Sequence, residues 1–512
     1  MKLEECELEV SFLTVKMLTL VVIYFLIVLF VIFLFKEDGK IRLPPGPKPL
    51  PLIGNVHQLP RASFLSVLQR WHTTYGPIMS IRIGGQVLVF LGSSHVCHEI
   101  LSKQGAWYSS RPKIPFLDRV IRGQIPASLP YGREWKLHRR FQYSILSTQA
   151  VKTYREVQDL EARQFLWEML TSDDFEKAVN RHTHSLASTL SYGQRSAKQD
   201  SMKINEMQGL IEEIFSELLS INLLFDSIPL IGPYLNWLVG REKAGRRSAD
   251  RLRAIYSEYV NSATNNGGQL SWAQKMIQET SKGLKGRERV YLESFEMHSA
   301  AVLTTRSSLW TFVLATLLHP EAVSVVQDEL DTVIGAGRYP SFEDIPRLPY
   351  LNSFIKELLR WRPIVPTSLP RVATSDREYA GYHIPAGSII IASQSVINMD
   401  QKVFDQPELF QGDRYVNNPD LPEPASFGYG RRACPGESLV RDTLFIVISR
   451  LIWGYNVVPH PEDQPPCLDE VRSKAGFFIF WPYSFRAKFQ VRSPDHQTTI
   501  EHGIHSKHDG HQ

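Results

Sequence analysis

A cysteine with unusual neighbours stands in the stretch FGYGRRACPG, residues 427–436. Glycines at this spacing let the backbone turn tightly and approach a flat object. A thiolate there needs hydrogen-bond donors and shielding from oxidants; we expect Phe427 to shield it and Arg432 to pair with a nearby acid. The residues after Gly436 have a helical pattern, and the N-terminal dipole of a helix stabilises a thiolate. This setting favours Cys434 as the axial ligand of a haem iron over a structural cysteine.

Two further segments place paired side chains one helical turn apart. In REWKLHRR, Trp135 and Arg139 lie on one helix face, where an indole N–H and a guanidinium can bind a carboxylate. In ELLR, Glu357 and Arg360 have the same relation. Apolar periodicity further predicts a long helix over residues 290–318, another over residues 345–362, and a β-hairpin over residues 76–92.

In this order, the motifs resemble those of the cytochrome P-450 family, and the resemblance extends from about Pro44 to Ser493. It implies a mainly α-helical cytochrome P-450 fold with a smaller β region. It also implies a haem b cofactor, iron protoporphyrin IX, ligated by Cys434, and an oxidoreductase that uses dioxygen (O2) as a monooxygenase. The cysteine stretch is similar in wording to filamentous-fungal members of natural-product pathways.

The resemblance also implies roles for individual residues. Glu357 and Arg360, joined by Arg414 from the segment QGDRY, are expected to form a structural network that holds the loop before the cysteine. Gly412 replaces the proline that the family usually has in this loop, so we expect a looser loop. Contacts to the haem are expected from seven residues: Trp135, Arg139, Arg371, Phe427, Arg432, Cys434 and Gly436.

The central helix holds the most informative departure from the family, in the segment AAVLTT. Ala300 and Ala301 are small and leave room for dioxygen. The Thr304 hydroxyl is expected to turn toward a backbone carbonyl and open a bulge in the helix. In the family this threonine helps to deliver protons, so Thr304 and its neighbour Thr305 are the predicted catalytic residues. The family's acid is replaced by Leu303, which cannot carry a proton.

Leu303 leaves two explanations open. Ordered water and Thr304 can relay protons without the acid, and ordinary hydroxylation then continues. Alternatively, a polar group of the substrate joins the relay, and the reaction becomes oxidative ring closure, coupling or desaturation. The same motifs would also suit a non-catalytic haem protein, or an isomerase or dehydratase that needs no external electrons.

Aromatic and apolar segments indicate the kind of substrate. In the family a C-terminal turn lines the pocket, and here it reads AGFFIFWPYSF and contains Phe477 and Phe478. Together with Ala300, Ala301 and Leu303, these residues predict a pocket for a lipophilic, polycyclic or aromatic small molecule.

The source of electrons is expected to be a separate protein, because the chain has no G-x-G-x-x-G segment after a strand. The resemblance implies an NADPH–cytochrome reductase, steered by the exposed bases Arg133, Lys136, Arg140 and Arg431. The formal net charge of +4 does not suggest a nucleic-acid partner. The four cysteines show no C-x-x-C spacing, which disfavours a disulfide framework or a zinc ribbon.

The N-terminal region predicts a single-pass membrane anchor. Residues 17–35 carry no charge, and a helix of nineteen residues spans about 28 Å, close to the thickness of a bilayer core. The basic side follows the apolar run, so residues 1–16 are predicted to be lumenal, with the catalytic domain on the cytosolic face of the endoplasmic reticulum. Residues 36–56 predict a proline-rich hinge, residues 57–495 the haem domain, and residues 496–512 a disordered, histidine-rich tail.

Overall fold

The structure is a computed structural model that describes residues 17, 19, 21–26, 28, 42–51, 53–59, 64–113, 125–196, 206–213, 241–263, 271–280, 287–462 and 484–505. Within these residues the chain is mainly α-helical with small β-sheets, as the sequence predicts. The predicted pocket residues Phe477 and Phe478 lie outside the described residues.

The α-helices of the described part are numbered here in chain order. They are α1 (Phe64–Tyr75), α2 (Ser94–Cys97), α3 (Gly105–Tyr108), α4 (Arg133–Leu146), α5 (Thr148–Lys152), α6 (Arg155–Thr171), α7 (Phe175–Tyr192), α8 (Arg241–Ala263), α9 (Trp272–Thr280), α10 (Arg287–Leu318), α11 (Pro320–Val333), α12 (Pro349–Trp361), α13 (Gln394–Ile397), α14 (Arg414–Asn417), α15 (Glu437–Gly454) and α16 (Pro494–His505). A π-helical segment spans His98–Lys103, and short 3-10 helices span Val56–Gln58, Phe342–Arg347, Ala425–Phe427 and Gly430–Arg432.

The strands form one four-stranded sheet and two antiparallel pairs, β4–β5 and β7–β8. They are β1 (Ile78–Ile83), β2 (Gln86–Leu91), β3 (Arg371–Val372), β4 (Arg377–Tyr379), β5 (Tyr382–Ile384), β6 (Ile389–Ala392), β7 (Tyr455–Pro459) and β8 (Ala487–Val491). The larger sheet has the order β1-β2-β6-β3, and only the β2–β6 pair is parallel. The predicted hairpin is therefore confirmed as β1–β2, and it supports the element that carries Arg371.

Helix α10 lies in the middle of the helical part. It packs against α7, α8 and α15, so several of its faces are covered, which explains why its sequence is apolar on more than one side. Its segment Glu293–Leu318 is the one helix in the described part that is long and apolar enough to cross a membrane. Because 72% of its most apolar 18-residue stretch is buried inside the protein, it is a core helix.

The predicted disorder from residue 496 is wrong as far as residue 505, because Pro494–His505 forms α16. Ile500 is fully buried in the main hydrophobic cluster. His496 is buried as well, with its ring centroid 4.7 Å from that of Trp453, and burial lowers the pKa of its imidazole. The sequence of this segment suggests disorder because Ile500 and Ile504 are its only apolar residues; a neutral histidine one turn from Ile500 instead adds to an apolar helix face. Residues 506–512 lie outside the described residues.

Candidate active site

A cavity of about 460 Å³ lies between α10 and the loop that carries Cys434. Its lining is supplied by α4, α7, α10, the segment after α12, the cysteine loop and the first turns of α15. All seven residues predicted to contact haem line this one cavity: Trp135, Arg139, Arg371, Phe427, Arg432, Cys434 and Gly436. Tertiary folding therefore brings together the set that the motifs suggested.

The cysteine loop holds the Cys434 thiol toward the cavity. The backbone N–H of Cys434 donates to the Phe427 carbonyl at 2.8 Å, which closes the loop. The side chain is surrounded by protein atoms, yet it is accessible because it faces the cavity. Burial raises the pKa of the thiol, and a hydrogen bond from the Gly436 N–H opposes that effect by favouring the thiolate. The predicted backbone donor is present.

Two glycines allow this loop to form. Gly428 and Gly430 have φ values of 73° and 59°, in the left-handed region that favours glycine. A Cβ atom on Gly430 would also lie 2.2 Å from the Leu101 carbonyl oxygen, so no other residue fits there without moving the backbone.

Buried guanidinium groups surround one side of the cavity. Arg139 donates to the Ala433 carbonyl at 2.5 Å and Arg371 to the Tyr429 carbonyl at 2.6 Å. In the described structure, Nε of Arg139 and Nη1 of Arg371 are buried without a hydrogen-bond partner. Burial, followed by the charge of Arg371, lowers the pKa of Arg432 to about 9. Arg111, which none of the sequence motifs indicates, adds a fourth guanidinium to the lining; like Arg432, it is half-buried.

This cluster has too little negative charge among the described residues that line the cavity, where Glu296 is the one carboxylate. Unpartnered donors and mutually repelling guanidinium groups fit a ligand that brings anionic oxygen atoms. The two propionates of haem have that chemistry, and Cys434 lies in the same cavity to supply the thiolate. The residues present therefore fit a haem.

Arg432 does not meet the acidic partner that the sequence suggested. Among the described residues it donates to the carbonyl oxygens of Ser109, Pro126 and Leu129, and its guanidinium carbon lies 4.4 Å from the Trp135 ring centroid. The prediction of an acid pair is corrected: backbone carbonyls and an aromatic face hold this side chain.

The opposite side of the cavity is formed by one face of α10. Ala300, Ala301, Thr304 and Thr305 all line the cavity. The Thr304 hydroxyl donates to the Ala300 carbonyl at 2.8 Å, which is the predicted contact. The predicted bulge is not present, because the backbone stays α-helical throughout Arg287–Leu318.

Leu303 does not line the cavity, contrary to the sequence expectation. Its side chain is 2% exposed and belongs to a hydrophobic cluster with Phe141, Leu186 and Leu439. Adjacent residues of an α-helix are rotated by about 100°, so Leu303 and Thr304 face different surroundings. The position where the family has an acid is therefore a dry core position in this chain.

Changing Leu303 to aspartate is expected to lower the free energy of unfolding by about 2 kcal/mol or more, because a carboxyl group would be buried among apolar side chains. Urea unfolding followed by circular dichroism measures this. Leu303→Met is the matched control, which keeps the volume and should lose less than about 1.5 kcal/mol. Equal stability of Leu303→Asp and Leu303→Met would contradict the dry environment assigned to this position.

The network predicted from ELLR forms, and its hydrogen bonds also reach the backbone of the segment between α13 and α14. Glu357 accepts two hydrogen bonds from Arg360, both at 2.7 Å, and one from Nε of Arg414 at 3.0 Å. All three side chains are buried. We expected Gly412 to make its loop looser. Instead, a Cβ atom there would lie 2.8 Å from the Tyr350 hydroxyl oxygen, so the glycine lets the loop pack closely against α12.

Sequence reasoning missed Glu296, which also lines the cavity. The missed signal was helical spacing: Glu296 precedes Ala300 by four residues and Thr304 by eight, which puts the three on one side of α10. Testing each ionisable residue against the face defined by AAVLTT would have found it.

Comparison with known proteins identifies the class. The family model of cytochrome P450 matches residues 44–478. Curated relatives include cytochrome P450 monooxygenase drtD of Aspergillus calidoustus, 40% identical over 90% of this chain and 88% of the relative. Fumitremorgin C synthase of Aspergillus fumigatus is 33% identical over 91% of each chain. A solved zebrafish cytochrome P450 with abiraterone has the same fold, with a TM-score of 0.71 and 23% identity, covering 84% of this chain and 100% of that one.

This chain therefore belongs to the cytochrome P450 family, and it is a cytochrome P450 monooxygenase. Membership of the family implies a haem cofactor. The cavity described above is the place in this chain whose residues fit one.

Proposed function

We propose that this protein oxidises a lipophilic, polycyclic or aromatic secondary metabolite with dioxygen and electrons from NADPH. The observation that carries the proposal is the convergence of Cys434, the buried guanidinium groups and Thr304 on one cavity with a largely apolar lining. A fungal relative, fumitremorgin C synthase, is named for the compound that it makes, and this supports a secondary metabolite as the substrate.

Each group has a distinct task in this proposal. Haem b, held by the Cys434 thiolate, supplies the activation of dioxygen. Arg139, Arg371 and Arg432 bind its propionates, since their buried donors lack sufficient anionic partners. Thr304 places a proton-bearing hydroxyl on the side of the cavity formed by α10, and the small side chain of Ala300 leaves space for dioxygen beside it.

Oxidative ring closure, coupling or desaturation is a second candidate, favoured by Leu303. Leu303 is apolar, and its side chain lies in the core rather than in the cavity. This chain therefore has no acid at the position where the family usually has one. A polar group of the substrate would then take part in proton delivery beside Thr304.

Attachment to the endoplasmic reticulum membrane through residues 17–35 belongs to the proposal. The described residues of this run are helical, and their apolar side chains up to Leu26 are exposed, with Tyr24 70% and Met17 63% accessible. Such a surface is compatible with lipid and unfavourable in water. An NADPH–cytochrome reductase in the same membrane is the proposed electron donor.

The basic surface near the cysteine loop supports such a donor. Arg133, Lys136, Arg140 and Arg431 are all exposed, so an acidic partner can approach them. Charges at the rim of an interface act mainly on the association rate and its dependence on salt.

The test is the mass of the product formed under isotopically labelled dioxygen. The chain is produced with a reductase and supplied with fungal metabolite extract. Incorporation of one labelled oxygen atom supports hydroxylation or epoxidation. Loss of two hydrogens without label supports ring closure, coupling or desaturation. Product formation that needs no NADPH would contradict the proposal and favour an isomerase or dehydratase; haem without any product would favour a non-catalytic protein.

Replacing Thr304 by alanine is expected to lower product formation by about 10²-fold or more, because positioned proton donors contribute at least that factor to such reactions. NADPH consumption should continue and end in hydrogen peroxide. Both quantities are measured in one assay. Thr304→Ser keeps the hydroxyl and should retain most of the coupling; similar losses in both variants would argue that the methyl group, not the hydroxyl, matters.

A further inference from the structure

Glu296 is an acidic side chain inside a cavity whose other lining side chains are apolar, basic or uncharged polar groups. It is the one carboxylate among the described residues that line the cavity. Protein atoms enclose it, yet its side chain remains partly accessible because it faces the cavity. The roles assigned above to the haem ligand, the propionate contacts and the proton donor do not use it.

The hydrogen bonds of Glu296 leave capacity for a ligand. Its Oε2 atom accepts from the backbone N–H of Ala127 at 2.8 Å. Among the described residues no side chain forms an ion pair with it at 4.0 Å or less. An ionised carboxylate can accept about four hydrogen bonds, so one backbone donor leaves it far from satisfied.

The charged groups near Glu296 act on its carboxyl group in opposite directions. Burial and then the nearby Glu293 raise the pKa of its carboxyl group to about 8, while the Ala127 N–H, Arg432 and Arg111 oppose the shift. Arg111 is itself bonded to the carbonyl oxygens of Ala127, Leu369 and Pro370. The two guanidinium groups therefore act on Glu296 from a distance.

We propose that Glu296 is a subsite that binds a basic nitrogen of the substrate. A protonated amine would restore the ionised carboxylate, since a buried charge is stable only with a partner of opposite sign. This inference rests on the proposed function and narrows its substrate class to lipophilic compounds with a basic amine.

Helix geometry sets the distance between the two ends of such a substrate. Glu296 and Thr304 are eight residues apart on α10, which corresponds to about 12 Å along the helix axis. Ala300 lies halfway between them and lines the cavity with a methyl group, so it leaves room for a substrate that spans the two residues. We therefore expect the oxidised atom to lie about 6–12 Å from the nitrogen.

The experiment compares two probes of the same shape on the haem-loaded, full-length protein. One is a dimethylaminoethyl naphthalene, which is cationic at neutral pH, and the other is its carbon isostere, in which CH replaces the nitrogen. Dissociation constants come from titrations of the haem absorbance band and, independently, from the ligand-induced rise in melting temperature. Direct coordination of the amine to iron shifts the band in the opposite direction and is scored separately.

Glu296→Gln removes the charge and keeps an oxygen that can accept from the Ala127 N–H. We expect this variant to raise the dissociation constant of the amine by at least about tenfold. The dissociation constant of the carbon isostere should change by less than about threefold. Glu296→Asp keeps the charge and should retain a preference for the amine. Glu321→Gln alters the same net charge at an exposed site and should change neither probe.

If Glu296→Gln weakened the binding of both probes equally, the proposal would be overturned, and Glu296 would only support the Ala127 backbone. An equal effect of Glu321→Gln would also overturn it, because long-range charge would then explain the result. No reductase is needed, so the amine preference can fail while NADPH-dependent oxidation of other compounds continues, and it can hold even if no oxidation is found.

Discussion

Cys434→Ala is expected to abolish oxidation, with a loss of more than about 10²-fold, since even partners of a metal ligand contribute 10–100-fold. The thiol faces the cavity and receives the Gly436 N–H, so its removal takes away the proposed bond to iron. Purified protein should contain little haem, measured by its absorbance and by the spectrum of its reduced carbonyl complex. The polypeptide itself should stay folded, because the thiol forms no other described side-chain bond.

Cys97→Ala is the matched control. Cys97 is fully buried in the small cluster beside the β-sheet and does not line the cavity. Burial raises the pKa of its thiol, so it is a neutral packing group. This variant should keep its haem and its activity. Full haem retention in Cys434→Ala, or loss of haem in Cys97→Ala alone, would refute the assignment of the ligand.

Glu357→Ala is expected to lower the free energy of unfolding by about 3–5 kcal/mol, because it leaves Arg360 and Arg414 buried without their shared carboxylate. Glu357 also accepts from the Gln411 N–H at 2.9 Å, which ties the loop after α13 to α12. Without the Gln411–Glu357 hydrogen bond, this loop should become less ordered, the cysteine loop should be held less firmly, and the haem content should fall. Urea unfolding and haem absorbance measure the two effects.

Glu423→Ala gives a control with the same connectivity at the surface. Glu423 bridges Lys356 and Arg441, at 2.5 and 2.8 Å, but it is about half exposed. Pairs of this kind contribute about 0–1 kcal/mol because water screens them. A loss in Glu357→Ala no larger than that in Glu423→Ala would mean that the buried network does not stabilise the fold.

Much of the architecture could be predicted because its signals are local. The cysteine stretch, the turn that joins Glu357 to Arg360, and the β1–β2 hairpin depend on residues close together in the sequence. Helix α10 could be predicted from its length and apolar content alone. The cavity residues on α4 and in the cysteine loop could be grouped only because their motifs resembled a family whose fold unites them.

Side-chain orientation could not be predicted in the same way. Leu303 was expected in the pocket and lies in the core, whereas Glu296 was overlooked and lies in the pocket; one helix carries both. A helix that is apolar on several faces has weak periodicity, so its sequence does not tell which face meets the cavity. Contacts with α7, α15 and the cysteine loop decide that orientation.

Partners distant in sequence were also beyond prediction. Arg432 was expected to meet an acid and meets carbonyl oxygens from a loop some 300 residues earlier. Residues 496–505 looked polar, yet Ile500 and His496 pack on a core built from other helices. Residue types at short spacing were enough to indicate a cysteine loop suited to haem and a helix suited to dioxygen, since those signals are local in the chain. Which side chains share the cavity depends on tertiary packing, because the burial and charge there come from segments far apart in the sequence.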